Sequence, residues 1–159
     1  MADDTPVREH LIWLLKGGHA HTGFDEAIAD FPREGRGVRP SGVPYSAWEL
    51  LEHMRIAQND MLRFSMSAGH VSPDWPKGYW PRHAAPERET DWDQSIRVFR
   101  SDLDEFVGLI RDPARDLYSK LPWGSGQTLM REALQIADHN SYHLGQLILV
   151  RRLLGNWGG

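Results

Sequence analysis

His139 and His143 stand four residues apart in the last quarter of the chain. On a helix this spacing places both imidazoles on one face, about one turn apart, where both can reach a single metal ion. On a helical wheel His143 lies inside the apolar stripe of its segment, and His139 lies at the edge of that stripe. A His pair at the rim of an apolar face suits a metal ion that the protein holds and solvent can reach.

A third imidazole, His53, occupies a matching rim position beside Leu50 and Ala57 in an earlier segment. Three neutral imidazoles from two helices form an open tripod, which is the pattern of catalytic metal sites. The charge of the ion would lower the pKa of a bound water to about 7 and would stabilise a bound thiolate. The chain contains no Cys, which excludes a zinc ribbon, an iron–sulfur cluster, a disulfide framework and a Cys nucleophile.

The elements that must position these histidines are delimited by proline, which breaks helix interiors. Ten prolines leave four long windows for helices, at 7–31, 45–72, 87–112 and 123–159. The apolar spacing predicts one helix in each: from about 6 to 30, from Ser46, from Thr90, and from Thr128 to Leu154. Ser46 and Thr90 each precede an acid by three residues, as in a capping box. In the second helix, one group of polar residues is expected to lie away from the core: Glu52, Arg55, Asn59 and Arg63.

Four amphipathic helices predict an all-α four-helix bundle with long inter-helix loops, as a single domain over 1–159. The longest loop, 69–89, carries Trp75, Tyr79 and Trp80 and is either a lid over a site or a plug at one end of the core. A net charge of −4 argues against a nucleic-acid partner. With no apolar run of about 18 residues, the sequence predicts no membrane span. The acidic, polar N-terminus is unlike a signal peptide, so a cytoplasmic location is expected.

Two segments resemble the DinB/YfiT-like superfamily of four-helix bundles: Trp48–His53, and Ala137–Gln146 with its His-x-x-x-His followed by Gly-Gln. The resemblance places the metal ligands at His53, His139 and His143. It implies a divalent ion such as zinc or nickel and a homodimer. It also implies a small-molecule substrate, either in a metal-dependent transfer that involves a low-molecular-weight thiol or in an isomerase or hydrolase-like reaction.

Further candidates surround these ligands. In the first helix His21 could approach the metal, more readily than His19, although a core or dimer contact is the more common use of such a residue. His10, His70 and His83 are expected in ordinary surface or loop positions. Glu49 could serve as a base, but its spacing from Ser46 favours a capping role. Asn140 stands where a zinc protease of the His-Glu-x-x-His type carries its Glu, so no catalytic residue beyond the ligands is assigned.

Three functions remain compatible with the sequence. The first is a metal-dependent enzyme that activates a small thiol or water, and the second is a non-catalytic bundle with a structural or vestigial metal site. The third is an interaction module that uses the loop with Trp75, Tyr79 and Trp80. Aromatic residues outside the four apolar stripes, such as Trp13 and Trp123, add to the expectation of a homodimer.

Overall fold

The computed structural model describes residues 3–157, which are helical with no strand; a single β-bridge joins Lys120 to Thr128. The all-α class is therefore confirmed. Its elements are α1 (Thr5–Lys16), α2 (Phe24–Ile28), α3 (Ala47–Met66), α4 (Asp91–Arg111) and α5 (Leu129–Leu153), with short 3-10 turns at Arg33–Gly35 and Lys77–Tyr79. No helix in this part of the chain combines the length and apolar character needed to cross a membrane.

The predicted start signals behave differently at α3, α4 and α5. Ser46 and Glu49 form a complete capping box at the start of α3, and the Thr128 hydroxyl accepts a hydrogen bond from the Arg131 backbone N–H at the start of α5. Thr90 precedes α4 as predicted, but its side chain makes no capping hydrogen bond. All three helices nonetheless begin within one residue of the predicted start.

The first predicted helix, over 6–30, is wrong in its continuity. α1 ends at Lys16, and the short α2 begins at Phe24. Gly17 and Gly18 between them have φ values of 64° and 75°, in the left-handed region that glycine adopts without a steric penalty. The chain therefore turns where the apolar period alone predicted one continuous helix.

Two glycine substitutions should have opposite effects on the free energy of unfolding. Gly18→Ala should lower the free energy of unfolding by about 1 kcal/mol, because a Cβ is disfavoured at its positive φ. Gly108→Ala should raise it by about 0.5–1 kcal/mol, because Gly108 lies inside α4 and a Cβ there meets nothing within 4 Å. Urea denaturation of both variants measures the difference, and equal effects of the same sign would contradict the assigned turn.

The buried core consists of two clusters that show how the helices run. One cluster joins α1 to the C-terminal halves of α3 and α4 and to the N-terminal half of α5. The other joins α2 to the N-terminal halves of α3 and α4 and to the C-terminal half of α5. Thus α3 and α4 run in the same direction and α5 runs against both. This arrangement brings His53, in the first half of α3, level with the middle of α5.

The sequence predicts that the polar side of α3 lies away from the core. In the structure this side instead forms much of the contact with α4. Glu52 is buried and accepts a hydrogen bond from the Ser95 hydroxyl, and Asn59 donates to Asp102 at 2.9 Å. Arg63 pairs with Glu105 through two hydrogen bonds of 3.0 Å. Pairing between the helices satisfies these groups, so a polar stripe can lie inside a helix–helix interface.

Candidate metal centre

Three of the eight histidines form one compact group. The candidate ligand nitrogens of His53, His139 and His143 all lie within 4.8 Å of one another, and their ring centroids are 4.5–4.8 Å apart. His53 comes from α3, and the other two come from successive turns of α5. His53 and His143 are buried and His139 is half-buried. The structure thus brings together the three residues that the sequence singled out.

Two of the rings are held by hydrogen bonds that fix which nitrogen is free. The His53 Nδ1–H donates to the Tyr79 carbonyl oxygen at 2.8 Å, and the His143 Nδ1–H donates to the Gln146 side-chain oxygen at 2.7 Å. Since both partners are acceptors, each Nδ1 carries the proton and each Nε2 keeps its lone pair. A metal-ligating His is commonly oriented by a carbonyl or carboxylate in this manner.

The position of His139 shows whether a cation fits among the three imidazoles. His139 Nε2 lies 3.1 Å from His53 Nε2, a separation that two nitrogens bound to one ion at about 2.1 Å can adopt. Within residues 3–157 only two buried side-chain polar atoms lack a hydrogen-bond partner, and they belong to neighbours: His139 Nδ1 and Asn140 Oδ1. A cation on His139 Nε2 would place the ring proton on Nδ1, and this change of tautomer would break no hydrogen bond, because Nδ1 has no partner. The three imidazoles therefore fit a metal ion.

The electrostatic environment keeps these imidazoles neutral, which is the form that binds a metal. Burial lowers the pKa of His139 to about 4, with further contributions from His143 and His53. Burial also lowers the pKa of His53 and that of His143, against the opposing effects of their hydrogen bonds to Tyr79 and Gln146. No ligand has to lose a proton to the solvent at neutral pH before it binds a cation.

Aromatic rings enclose one side of the group. The Trp80 indole stacks on the His53 ring with centroids 3.9 Å apart and an angle of 1° between the planes, and Tyr45 stacks on Trp80 at 4.6 Å. Tyr142 meets His143 edge to face at 4.9 Å and is largely exposed. Trp80 belongs to the loop 69–89, so this loop covers part of the candidate metal centre.

The remaining histidines lie outside the group. His21, the favoured extra candidate, is exposed, and its ring bonds to the carbonyl of the adjacent Thr22. His19 is also exposed and stacks on Trp13 at 3.9 Å. Both belong to the segment where the predicted first helix breaks, so neither is carried inward. His10 and His83 are exposed, as predicted.

His70 is a loop residue, as predicted, but it is not a free surface group. Its Nε2 donates to the Asp60 carboxylate at 2.6 Å, and its side chain is largely shielded from solvent. Glu49 has the capping role that its spacing favoured, and it also pairs with Arg39. Burial alone would raise the pKa of Glu49, but the bonds from Arg39 and Ser46 outweigh it and lower that pKa. Glu49 is therefore fully engaged and is not a free base.

Three contacts at the candidate metal centre were not predicted from the sequence. Gln146 was detectable, because it follows His143 by three residues and therefore lies on the same face of α5. The Tyr79 carbonyl and the Trp80 ring had no such signal, since both come from an irregular loop more than 25 residues from His53. Their positions follow only from the path of that loop across α3.

No protein-family model matches the chain, and it has no significant match among curated proteins or among solved structures. What the protein does is therefore inferred from its own geometry. Among residues 3–157 the His53, His139 and His143 group is the one set of three or more His, Asp or Glu side chains compact enough to hold a metal ion.

Proposed function

We propose that this protein is a metal-dependent enzyme of the DinB/YfiT-like type, in which His53, His139 and His143 hold a divalent ion that activates a small thiol or water. The observation that carries the proposal is the convergence of three neutral imidazoles, two of them oriented through Nδ1 by carbonyl oxygens. A structural zinc site would use four protein ligands, whereas three leave a position for substrate. The reaction class is a thiol transfer or a hydrolase-like reaction.

The helix arrangement supports the same family. The four long helices α1, α3, α4 and α5 are the members of the proposed bundle, and α2 is a short addition after α1. One ligand comes from the first half of α3 and two come from the middle of α5, as the sequence resemblance implies. We therefore propose a DinB/YfiT-like four-helix bundle.

The donor set favours zinc or nickel. Three imidazole nitrogens suit borderline transition metals, while magnesium and calcium prefer oxygen ligands. A bound ion of this kind supplies Lewis acidity, which lowers the pKa of a thiol or water that it contacts. The chain's own residues hold the ligand lone pairs in place and, through Trp80, exclude water from one side.

A thiol is the better substrate for this site. Water attack commonly uses a general base beside the metal, but Glu49 is engaged with Arg39 and Asn140 cannot act as a base. A thiol that is deprotonated on binding needs no such base at the moment of attack. Since the chain contains no Cys, the thiol must come from a bound small molecule.

Metal analysis tests the proposal directly. Protein purified without a His tag should carry about one zinc or nickel ion per chain, and metal removed by a chelator should be restored by either ion with a gain in thermal stability. Adding a low-molecular-weight thiol to the cobalt-loaded protein should produce a sulfur-to-cobalt charge-transfer band. Protein that neither contains metal nor gains stability from added zinc or nickel would refute the proposal.

Gln146 provides a more selective test. Gln146→Leu should weaken zinc binding by about 10–100-fold, because the His143 ring loses the acceptor that orients it. Gln146→Glu keeps an acceptor at the same place and should retain most of the affinity. Competition with a chromophoric chelator gives both values, and equal affinities for the two variants would mean that the Gln146 hydrogen bond plays no part in metal binding.

The second candidate function is an interaction module that uses the loop 69–89. Trp75 in this loop is 79% exposed, which a docking role would explain. Tyr79 and Trp80 support the metal site instead, because both contact His53. Because Trp75 meets the Tyr79 ring edge to face at 5.5 Å, Trp75→Ala should reduce zinc affinity less than Tyr79→Phe does, and any partner whose binding it abolishes would establish the additional role.

A homodimer is also proposed. Beyond Tyr142, the outward face of α5 exposes a row of large apolar side chains: Leu134, Leu149 and Leu153. These side chains lie on the side of α5 away from the core, with the exposed Asp138 and Arg131 among them. Sedimentation of wild type and of Leu149→Lys tests this face, and a wild-type monomer at micromolar concentration would contradict the dimer.

A further inference from the structure

The connection 67–90 returns the chain along α3, because α3 and α4 run in the same direction. Helix α3 has 20 residues and is therefore about 30 Å long. The return path contacts α3 at successive points from its end to its start. His70 and Tyr79 reach Asp60, Tyr79 and Trp80 reach His53, and the Ala84 carbonyl accepts a hydrogen bond from Ser46.

Asp60 anchors the loop to α3, nearer the C-terminal end of that helix than His53. Its carboxylate accepts a hydrogen bond from the Tyr79 hydroxyl at 2.6 Å and another from His70 Nε2 at 2.6 Å. It lies seven residues after His53, about two turns along the same face of α3. Both carboxylate oxygens are therefore used to hold the loop, at two positions nine residues apart.

Tyr79 connects Asp60 to His53. Its hydroxyl is bound by Asp60, while its backbone carbonyl accepts the hydrogen bond from His53 Nδ1 at 2.8 Å. The next residue, Trp80, stacks on the His53 ring. A single residue thus connects the carboxylate to the two contacts that orient His53. The phenol stays a neutral donor, because burial and the bond to Asp60 raise the pKa of Tyr79 to about 12.

We propose that Asp60 is a positioning residue for the metal centre: it fixes Tyr79, and through it the Tyr79 carbonyl and the Trp80 ring that orient His53. This inference rests on the proposed function for its metal-binding consequence. Few backbone hydrogen bonds stabilise the loop, since the 3-10 turn Lys77–Tyr79 is its one helical element. Ordering such a segment costs conformational entropy, so the side-chain anchors decide whether it stays in place.

A neighbouring carboxylate offers a matched control. Glu132 on α5 is buried near Asp60, and its pKa is raised by burial and by the Asp60 charge. It makes no hydrogen bond to the loop among the described residues. Glu132→Gln therefore removes a buried acid from the same surroundings without touching the anchor.

The test compares Tyr79→Phe, Asp60→Leu and their combination with Glu132→Gln. Asp60→Asn is unsuitable, because its amide can still accept from Tyr79. We expect Tyr79→Phe and Asp60→Leu each to lower zinc affinity by about tenfold, toward the lower end of what loss of a ligand's partner causes. The double variant should lose little more than either single one, because both changes break the same connection. Glu132→Gln should bind zinc like wild type.

Two readouts that do not need metal separate this inference from the proposed function. Hydrogen exchange should show faster exchange of the amides in 77–82 in Tyr79→Phe and Asp60→Leu but not in Glu132→Gln. Nitrogen-15 spectra should show that His53 loses its defined Nδ1–H tautomer in the same two variants. If wild type binds no zinc, the proposed function fails and these two readouts decide the role of Asp60.

The inference is overturned if Tyr79→Phe keeps both the His53 tautomer and the loop protection of wild type. It is equally overturned if Glu132→Gln changes zinc affinity as much as Asp60→Leu does. Because Tyr79→Phe removes one hydroxyl only, it should fold even if Asp60→Leu does not, so the outcome does not depend on the more disruptive variant.

Discussion

Replacing His143 with Ala is expected to lower the zinc affinity of the protein by more than about 100-fold, beyond what loss of a ligand's hydrogen-bond partner causes. His143 is buried, its ring centroid lies 4.5 Å from those of His53 and His139, and its loss leaves only two candidate ligands in the group. Zinc at 100 times the wild-type dissociation constant should stabilise wild type by about 2.7 kcal/mol and the variant by no more than about 0.4 kcal/mol.

His83→Ala is the control for this experiment. His83 is exposed and pairs with Glu87 at 2.8 Å, so its loss removes an imidazole without changing the metal centre. Competition titration of wild type and both variants measures the affinities. A His143→Ala protein that binds zinc as tightly as His83→Ala would show that the metal is held elsewhere. If a reaction is found, its survival in His143→Ala would favour the non-catalytic interpretation of the site.

Gln58→Leu should lower the free energy of unfolding by about 1–3 kcal/mol, the cost of leaving a buried polar group unpaired. Gln58 is fully buried; it donates to the Phe99 carbonyl at 2.7 Å and accepts from the Asn140 side-chain amide at 2.9 Å. It thereby joins α3, α4 and α5 at the level of His139. Leucine would fill the space but leave the Asn140 amide without its acceptor.

The double variant Gln58→Leu/Asn140→Leu distinguishes an unpaired polar group from poor packing. Removing both partners should recover much of the lost stability, because no donor is then stranded. Denaturant unfolding of the two single variants and the double variant provides the complete cycle. Additive losses in the double variant would mean that shape, rather than the hydrogen bond, sets the cost.

Local sequence patterns were sufficient to predict the contacts that lie within one helix. The four-residue spacing of His139 and His143 placed both on one face of α5, and the capping box at Ser46 fixed the start of α3. Wheel positions also placed His53 on the correct face, because the apolar stripe of a helix faces the core. The all-α class followed from the same periodicity, which depends only on residues within a few turns.

Tertiary structure decided everything that depends on how distant segments meet. One local break was also missed: α1 ends at Gly17 and Gly18, where apolar spacing alone continued the helix and carried His21 with it. The polar side of α3 is paired with α4, since a polar pattern marks a surface only until a partner satisfies it. The loop, which could have been a lid or a plug, covers part of the candidate metal centre because α3 and α4 run in the same direction and their connection must return past His53. The identity of the candidate ligands was thus local information, whereas the orientation of His53 by Tyr79 and Trp80 was not.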